Sequence, residues 1–284
     1  IWSDAHLPGL ARLAAAIRAA GSVSAVQLHH GGRRTEPELS GEPRRAPWDD
    51  AETGATALTT AEVEQLRDAF IAAALRAERA GFDGVELHGA HGYMLCSFLD
   101  ADNNRRPDRY GGSFDNRARL LFEIIDGIRA KVGPTFQLGV RISPERFGIP
   151  LAEARELASR LLASEQLDYV DLSLWDVFKA PAEEAYAGTE LIDHFADLPR
   201  HGTALGVAGK ITTAAHAQKC LDRGADFVLI GRGAILHHDF AARAIADPAF
   251  AARPLPVAPE TLAAEGLSSS FIGYMRNWKG FVAD

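Results

Sequence analysis

The chain has 284 residues, 47% of them hydrophobic and 24% charged, with 26 Gly and 14 Pro, which excludes disorder, collagen and coiled coil. A formal net charge of −8 argues against a nucleic-acid or anionic-membrane surface, whose footprint is a basic excess or stripe. The length fits one (β/α)8 barrel of ~250 residues.

In chain order, helical and strand periodicities alternate throughout, an α/β signature. Leu7, Leu10, Leu13 and Ile17 share one helical face that stops at Gly21, and Val23 to His29 reads as a strand. Thr59 with Glu62 forms a capping-box pattern, and Val63, Leu66 and Phe70 carry that helix towards Gly81. Asp83 to Leu87 is the next strand. Leu120, Leu121, Ile124, Ile125 and Ile128 mark a long helix that feeds the strand Phe136 to Ile142. The rhythm then shortens, with a helix around Leu157 to Leu162 and a strand from Asp168 to Leu172. A further helix ending near Arg200 precedes Thr203 to Val207, and one ending at Gly224 precedes Asp226 to Ile230.

A weak repeat runs through this pattern: Gly81-Phe-Asp-Gly-Val-Glu-Leu87, Gly224-Ala-Asp-Phe-Val-Leu-Ile230 and, without the glycine, Gln166-Leu-Asp-Tyr-Val-Asp-Leu172. Near-continuous apolar strands joined by helices predict a parallel sheet, either open and doubly wound or closed as a barrel. Two long polar stretches, 31–57 and 89–112, follow strands, as functional loops do. No domain boundary is visible, and 1–284 reads as one domain. Cys96 and Cys220 form neither a disulfide framework nor a CxxC spacing, which suits a reducing cytoplasm. No run of ~18 apolar residues or signal-peptide pattern occurs.

Polar residues gather at the carboxyl ends of the strands, where both folds bind ligands. They are Gln27 and His30, His88 and His91, Arg141, Ser173 and Trp175, Gly209 and Lys210, and Gly231 and Arg232. The glycine segments 206–212 and 230–233 follow the last two strands and suit a phosphate, with Arg232 able to add a bidentate contact. Neither is a Walker A or dinucleotide loop. In His88-Gly-Ala-His91-Gly-Tyr93, two neutral imidazoles can hold one substrate oxygen between them. A phenol keeps its proton at neutral pH, so Tyr93 can supply one. No further Cys or His spacing completes a metal-ligand set around the pair. Arg141, on an apolar strand, needs a carboxylate such as Glu86 or an anionic ligand, and the ligand is favoured. The segment 104–117 reads as a hydrogen-bonded scaffold. Phe271, Tyr274, Trp278 and Phe281 form a C-terminal stripe suited to packing or to a subunit contact in a homo-oligomer.

These residues resemble the Old Yellow Enzyme family of FMN-dependent NAD(P)H oxidoreductases, in its single-domain bacterial ene-reductase form. The matching motifs are Gln27-Leu-His-His30-Gly-Gly-Arg33, Gly84-Val-Glu-Leu-His88-Gly-Ala-His91-Gly-Tyr93, Asn104 to Arg117, Arg141, and the Gly209 and Gly231-Arg232 segments, in family order. The resemblance implies a TIM barrel with FMN at its carboxyl rim. It implies Gln27 and Arg141 at the flavin's pyrimidine edge, and Gly209, Gly231 and Arg232 at its phosphate. His88 and His91 would bind the carbonyl oxygen of an α,β-unsaturated acceptor, and Tyr93 would protonate its α-carbon. Pro107, Asp115 and Asp100-Ala101 depart from the pattern only in the scaffold loop. Six strands preceded by a helix fall two short of a barrel, the family's first two strands have no counterpart, and the chain starts at Ile1, so the sequence is expected to be a fragment. Two other functions fit part of the pattern: a flavin-free phosphate-binding barrel isomerase or lyase, which leaves Gln27 and Arg141 without a task, and a non-catalytic incomplete barrel.

Overall fold

The computed structural model describes residues 1–283. The chain opens with α1 (Leu7–Ala19), β1 (Ala25–Leu28), α2 (Pro37–Ser40), β2 (Arg45–Ala46), β3 (Thr56–Ala57) and α3 (Thr60–Arg79). It continues through β4 (Gly84–Gly89), α4 (Met94–Leu99), α5 (Phe114–Arg129), β5 (Gln137–Ile142), α6 (Leu151–Leu162) and β6 (Tyr169–Ser173). The last part holds α7 (Asp193–Ala196), β7 (Ala204–Ala208), α8 (Ala214–Asp222), β8 (Phe227–Leu229), α9 (Arg232–Leu236), α10 (Phe240–Ala246), α11 (Pro259–Ala264) and α12 (Ser269–Met275).

Six strands form one sheet in the order β1-β4-β5-β6-β7-β8, and each neighbouring pair is parallel. Parallel neighbours joined by helices, with sheet order following chain order, are the repeating unit of a (β/α) barrel. β1 and β8 are the sheet's two edges and do not pair with each other. The structure thus presents six consecutive staves of a TIM barrel.

Alternate residues of a strand face opposite sides, and burial sorts the two faces by chemistry. Val85, Leu87, Leu138, Val140, Val170, Leu172, Leu205 and Val207 are buried with the helix residues Val63, Phe70, Ala74, Ile124, Ile125, Ile128, Leu157 and Leu161. The concave face instead carries Gln27, Glu86, His88, Arg141, Asp171 and Ser173. There the Tyr169 ring occupies the space a side chain at Gly139 would need, and Phe227 does the same beside Gly206. These two rings meet edge to face at 5.7 Å.

The repeated aspartate has a physical task, which is to lock strand register. Asp83 Oδ2 accepts from Ser24 N at 2.8 Å, Asp168 Oδ2 from Leu138 N at 2.7 Å, and Asp226 Oδ2 from Leu205 N at 2.7 Å. Each aspartate therefore caps the start of the preceding strand. Each also pairs with an upstream arginine: Arg18 of α1, Arg129 of α5 and Arg200, which follows α7.

The capping box at α3 forms as its pattern predicts, with Thr59 Oγ1 accepting from Glu62 N and Thr59 N donating to Glu62 Oε2 at 2.7 Å. Three expectations need revision. The helix ending near Arg200 is only the four-residue α7. The stretch 31–57 contains α2 and the parallel pair β2–β3 rather than open loop. In the C-terminal stripe only Phe281 is buried, while Phe271, Tyr274 and Trp278 are 41%, 53% and 41% exposed and stack on one another. The helix turns Ile272 and Met275 inward instead, into a small cluster with Leu236, Val257 and Leu262.

Candidate active site

The register of β1, β4, β5 and β6 brings the first site residues together. Gln27 is opposite Glu86, His88 opposite Arg141, and Arg141 opposite Asp171, all on the concave face. Gln27 Nε2 donates to Glu86 Oε1 at 2.5 Å, leaving the amide oxygen free of it. Arg141 Nε lies 2.9 Å from Asp171 Oδ2, a charge contact without hydrogen-bond alignment. The carboxyl group that meets Arg141 is therefore that of Asp171, because Glu86 is committed to Gln27.

The loop after β4 delivers His91 in a left-handed conformation, φ 63°, which an L residue adopts at a cost of ~1–2 kcal/mol. Both of its backbone groups are clamped: His91 N donates to Ser143 Oγ at 3.0 Å, and His91 O accepts from Arg34 Nη1 at 2.7 Å. Gly92 follows at φ 71°, and a Cβ there would lie 2.9 Å from the Phe147 ring. This double left-handed step turns the chain back so that Tyr93 caps α4 beside the imidazoles. Arg146 and Phe147 after β5, Trp175 after β6 and Lys210 after β7 also have positive φ. Strain of this kind gathers where a rim is shaped for a ligand.

The rings form a compact group. His88 lies 5.0 Å from His91 and 5.4 Å from Tyr93 between centroids, and His29 packs edge to face on Tyr93 at 4.3 Å. Arg34 stacks its guanidinium over Tyr93 at 5.0 Å. His91 Nδ1 and His88 Nε2 are 3.3 Å apart, His91 Nε2 is 2.7 Å from Ser173 Oγ, and Arg141 Nη2 donates to Ser173 Oγ at 3.2 Å. Burial pushes the pKa of His88 down to about 3, helped by His91, His29 and Arg141. Burial and Arg141 push that of His91 down to about 4. Both imidazoles are thus neutral at physiological pH. His88 Nδ1 is buried with no partner among the described residues.

Gly209 and the Gly231-Arg232 pair stand after β7 and β8, two and three strands beyond β5. The loops after β6 and β7 approach closely here, since a Cβ on Gly209 would lie 2.9 Å from Asp176 N. Beside Gly231 the space is open, with no atom within 4 Å of a Cβ placed there. Arg232 is exposed and has no carboxylate partner among the described residues. An open glycine turn with an uncompensated guanidinium fits an anionic group such as the FMN phosphate. An inward amide, a cation fixed near the carboxyl end of β5 and an orphaned imidazole nitrogen fit a flavin with an acceptor above it.

Sequence reasoning named His30 as a rim residue. Its Nδ1 instead accepts from Gly32 N at 3.0 Å and closes the turn after β1, while His29 is the residue that meets Tyr93. His29 sits between two motif positions and carried no signal of its own. The 104–117 segment is the scaffold expected. Asn104 Nδ2 donates to Phe98 O and Tyr110 O at 2.6 and 2.9 Å, and Arg117 grips Leu99 O and both oxygens of Glu153. Among the described residues, the His, Asp and Glu side chains grouped closely enough for a metal are His238, Asp239 and Glu265, far along the chain, and Arg243 and Arg253 already pair with those carboxylates. No helix among the described residues is long and apolar enough to cross a membrane.

The pattern of the NADH:flavin oxidoreductase / NADH oxidase family matches residues 1–247. An NADPH dehydrogenase of Bacillus licheniformis is 36% identical over 241 residues, which cover 82% of this chain and 69% of that protein. Morphinone reductase in complex with tetrahydroNAD superposes with a TM-score of 0.73 at 29% identity, over 92% of this chain and 75% of that one. The old yellow enzyme homologue from Zymomonas mobilis gives 0.75 at 28% identity, over 92% and 76%. The chain therefore belongs to the NADH:flavin oxidoreductase / NADH oxidase family, the Old Yellow Enzyme family of FMN-dependent, NAD(P)H-linked oxidoreductases.

Proposed function

We propose that this chain reduces the activated C=C bond of α,β-unsaturated carbonyl compounds at the concave carboxyl rim of its sheet. Gln27 and Arg141 would hold the pyrimidine edge of FMN, and Gly209, Gly231 and Arg232 its phosphate. FMN held there would supply the hydride chemistry between NAD(P)H and the acceptor's β-carbon. His88 and His91 receive the acceptor's carbonyl oxygen. Each neutral imidazole keeps one N–H, and donated to that oxygen these stabilise the negative charge that grows on it as the β-carbon is attacked. Tyr93, 5.4 Å from His88 between ring centroids, gives its proton to the α-carbon and completes the saturated product. Arg34 over its ring stabilises the phenolate left behind, which is then reprotonated from solvent.

The observation that carries this reading is the buried, partnerless Nδ1 of a neutral histidine packed against both a second imidazole and a tyrosine. Incubation of the FMN-loaded chain with NADPH and 2-cyclohexen-1-one tests it. Cyclohexanone is the product expected, with Tyr93→Phe lowering its formation ~10²–10⁴-fold while NADPH still reduces the flavin. An alcohol product, or full activity in Tyr93→Phe, contradicts the reading.

A further inference from the structure

Arg146 and Trp175 meet on the carboxyl rim beside the imidazoles. Arg146 follows Arg141 in the loop after β5, and Trp175 follows Ser173 and Leu174 in the loop after β6. The two residues from Ser173 to Trp175 span at most ~7 Å, so Trp175 stands at the edge of the site. The Arg146 guanidinium lies over the indole, 4.7 Å from the ring centroid. Arg146 is exposed and Trp175 is 57% exposed. Both residues are left-handed, with φ 69° and 65°, and two such residues cost more than one exposed cation–π stack returns. The carboxylates next to them are already engaged: Glu145 by Lys179 and by Ala182 N at 2.8 Å, and Asp176 by Lys210 at 2.9 Å. Arg146 itself makes no ion pair among the described residues. The backbone under the indole is fixed, since Leu174 N donates to Ala208 O at 2.8 Å and a Cβ on Gly209 would lie 2.9 Å from Trp175 C.

We propose that Arg146 and Trp175 seat the adenosine 2′-phosphate end of NADPH. The nicotinamide has to reach the flavin, which leaves the adenosine end of the dinucleotide on the rim. There the exposed indole surface takes the adenine by stacking, and the guanidinium's planar fork takes a phosphate bidentately. A free arginine is also what accommodates the 2′-phosphate that NADPH has and NADH lacks. On a chain of net charge −8, an uncompensated cation at the mouth draws in a polyanion. A carboxylated acceptor would use the guanidinium and leave the indole without a task. The assignment rests on the family's use of NAD(P)H and is independent of the enone reading.

Calorimetric titration of the chain, in excess FMN, with 2′,5′-ADP and with 5′-AMP tests it without turnover. The unsubstituted chain is expected to bind 2′,5′-ADP the more tightly. Arg146→Gln should weaken 2′,5′-ADP ~10–100-fold, as the loss of hydrogen bonds to a charged group implies, and leave 5′-AMP unchanged. Trp175→Ala should weaken both nucleotides ~5–150-fold, the worth of stacking a base on a ring, and Trp175→Phe should restore most of the loss. In the FMN-loaded enzyme, Arg146→Gln should raise KM for NADPH about tenfold with kcat and the KM for NADH unchanged. Equal binding of the two nucleotides by the unsubstituted chain overturns the assignment whatever the variants do. So does an equal loss of both in Arg146→Gln, which would give the guanidinium to the 5′-phosphate, or a loss of 2′,5′-ADP in Arg232→Ala but not in Arg146→Gln, which would put the nucleotide in the turn after β8. Selective 2′,5′-ADP binding by a chain that reduces no enone upholds this seat and refutes the proposed function; enone reduction without that selectivity does the reverse.

Discussion

Arg141 and Asp171 face each other from neighbouring strands, with Nε 2.9 Å from Oδ2, and Asp171 is completely buried. Burial pushes the Asp171 carboxyl from an ordinary 3.8 up to about 8; Arg141 pulls it down and Glu86 pushes it further up. Desolvation thus outweighs the ion pair, as it commonly does inside proteins. The arrangement places a cation near the carboxyl end of β5 with only a weakly ionised counter-charge beside it, which suits an anionic ligand.

The raised carboxyl makes stability depend on pH with a definite sign. Between pH 3.8 and about 8 the unfolded chain releases the Asp171 proton and the folded chain keeps it, so this group's contribution falls as pH rises. Asp171→Asn removes that loss. Urea denaturation across pH 5–8 is expected to show a smaller decline at the alkaline end in Asp171→Asn than in the unsubstituted chain.

The histidines act in the opposite sense. Unfolded imidazoles take up protons near ~6.5, whereas His91 and His88 resist until about 4 and about 3. Stability therefore falls as pH drops from ~6.5 towards 4, by at most ~1.4 kcal/mol per pH unit for each ring. Thermal melting from pH 7 to 4.5 measures this, and His88→Gln with His91→Gln is expected to flatten it.

Arg232 is exposed next to the open space at Gly231 and has no anionic partner among the described residues to compensate for its charge. Hydrogen bonds to a charged phosphate are worth ~1.5–3 kcal/mol, so Arg232→Ala is expected to weaken FMN binding ~10–100-fold. Fluorescence titration with FMN and with riboflavin separates the effect, because riboflavin, lacking the phosphate, should bind both forms equally.

Arg117 tests the scaffold. Its side chain is 4% exposed, and it holds Glu153 with two bonds of 2.8 Å as well as two main-chain carbonyls. Because Glu153 is 30% exposed, Arg117→Ala should cost about 1.5–3 kcal/mol, the worth of hydrogen bonds made by a charged group, read as a lower urea midpoint. The folded fraction should keep its FMN affinity, since Arg117 touches neither the imidazoles nor Arg141.

Strand order and the site's location were legible because both follow from period. Apolar runs at αβ spacing give parallel staves, and polar residues at their ends give the rim. The capping box at Thr59 and the scaffold of Asn104 and Arg117 were also readable, since each is a local pattern. Pairings across the sheet were not. Whether Arg141 meets Glu86 or Asp171 depends on register, and register is locked by Asp83, Asp168 and Asp226, whose backbone bonds no local pattern announces. His29 and His30 could not be separated either, because one turn after β1 decides which ring bonds the backbone and which meets Tyr93.

The central claim is that one concave site holds the flavin and presents His88 and His91 to an oxygen above it. Titration of the FMN-loaded chain with p-hydroxybenzaldehyde measures this through the long-wavelength band that a phenolate stacked on oxidised flavin produces. The account predicts that the band appears and saturates, and that the His88→Ala, His91→Ala double variant loses it while still holding FMN. A chain that takes up no FMN, or a double variant whose band is unchanged, would contradict it.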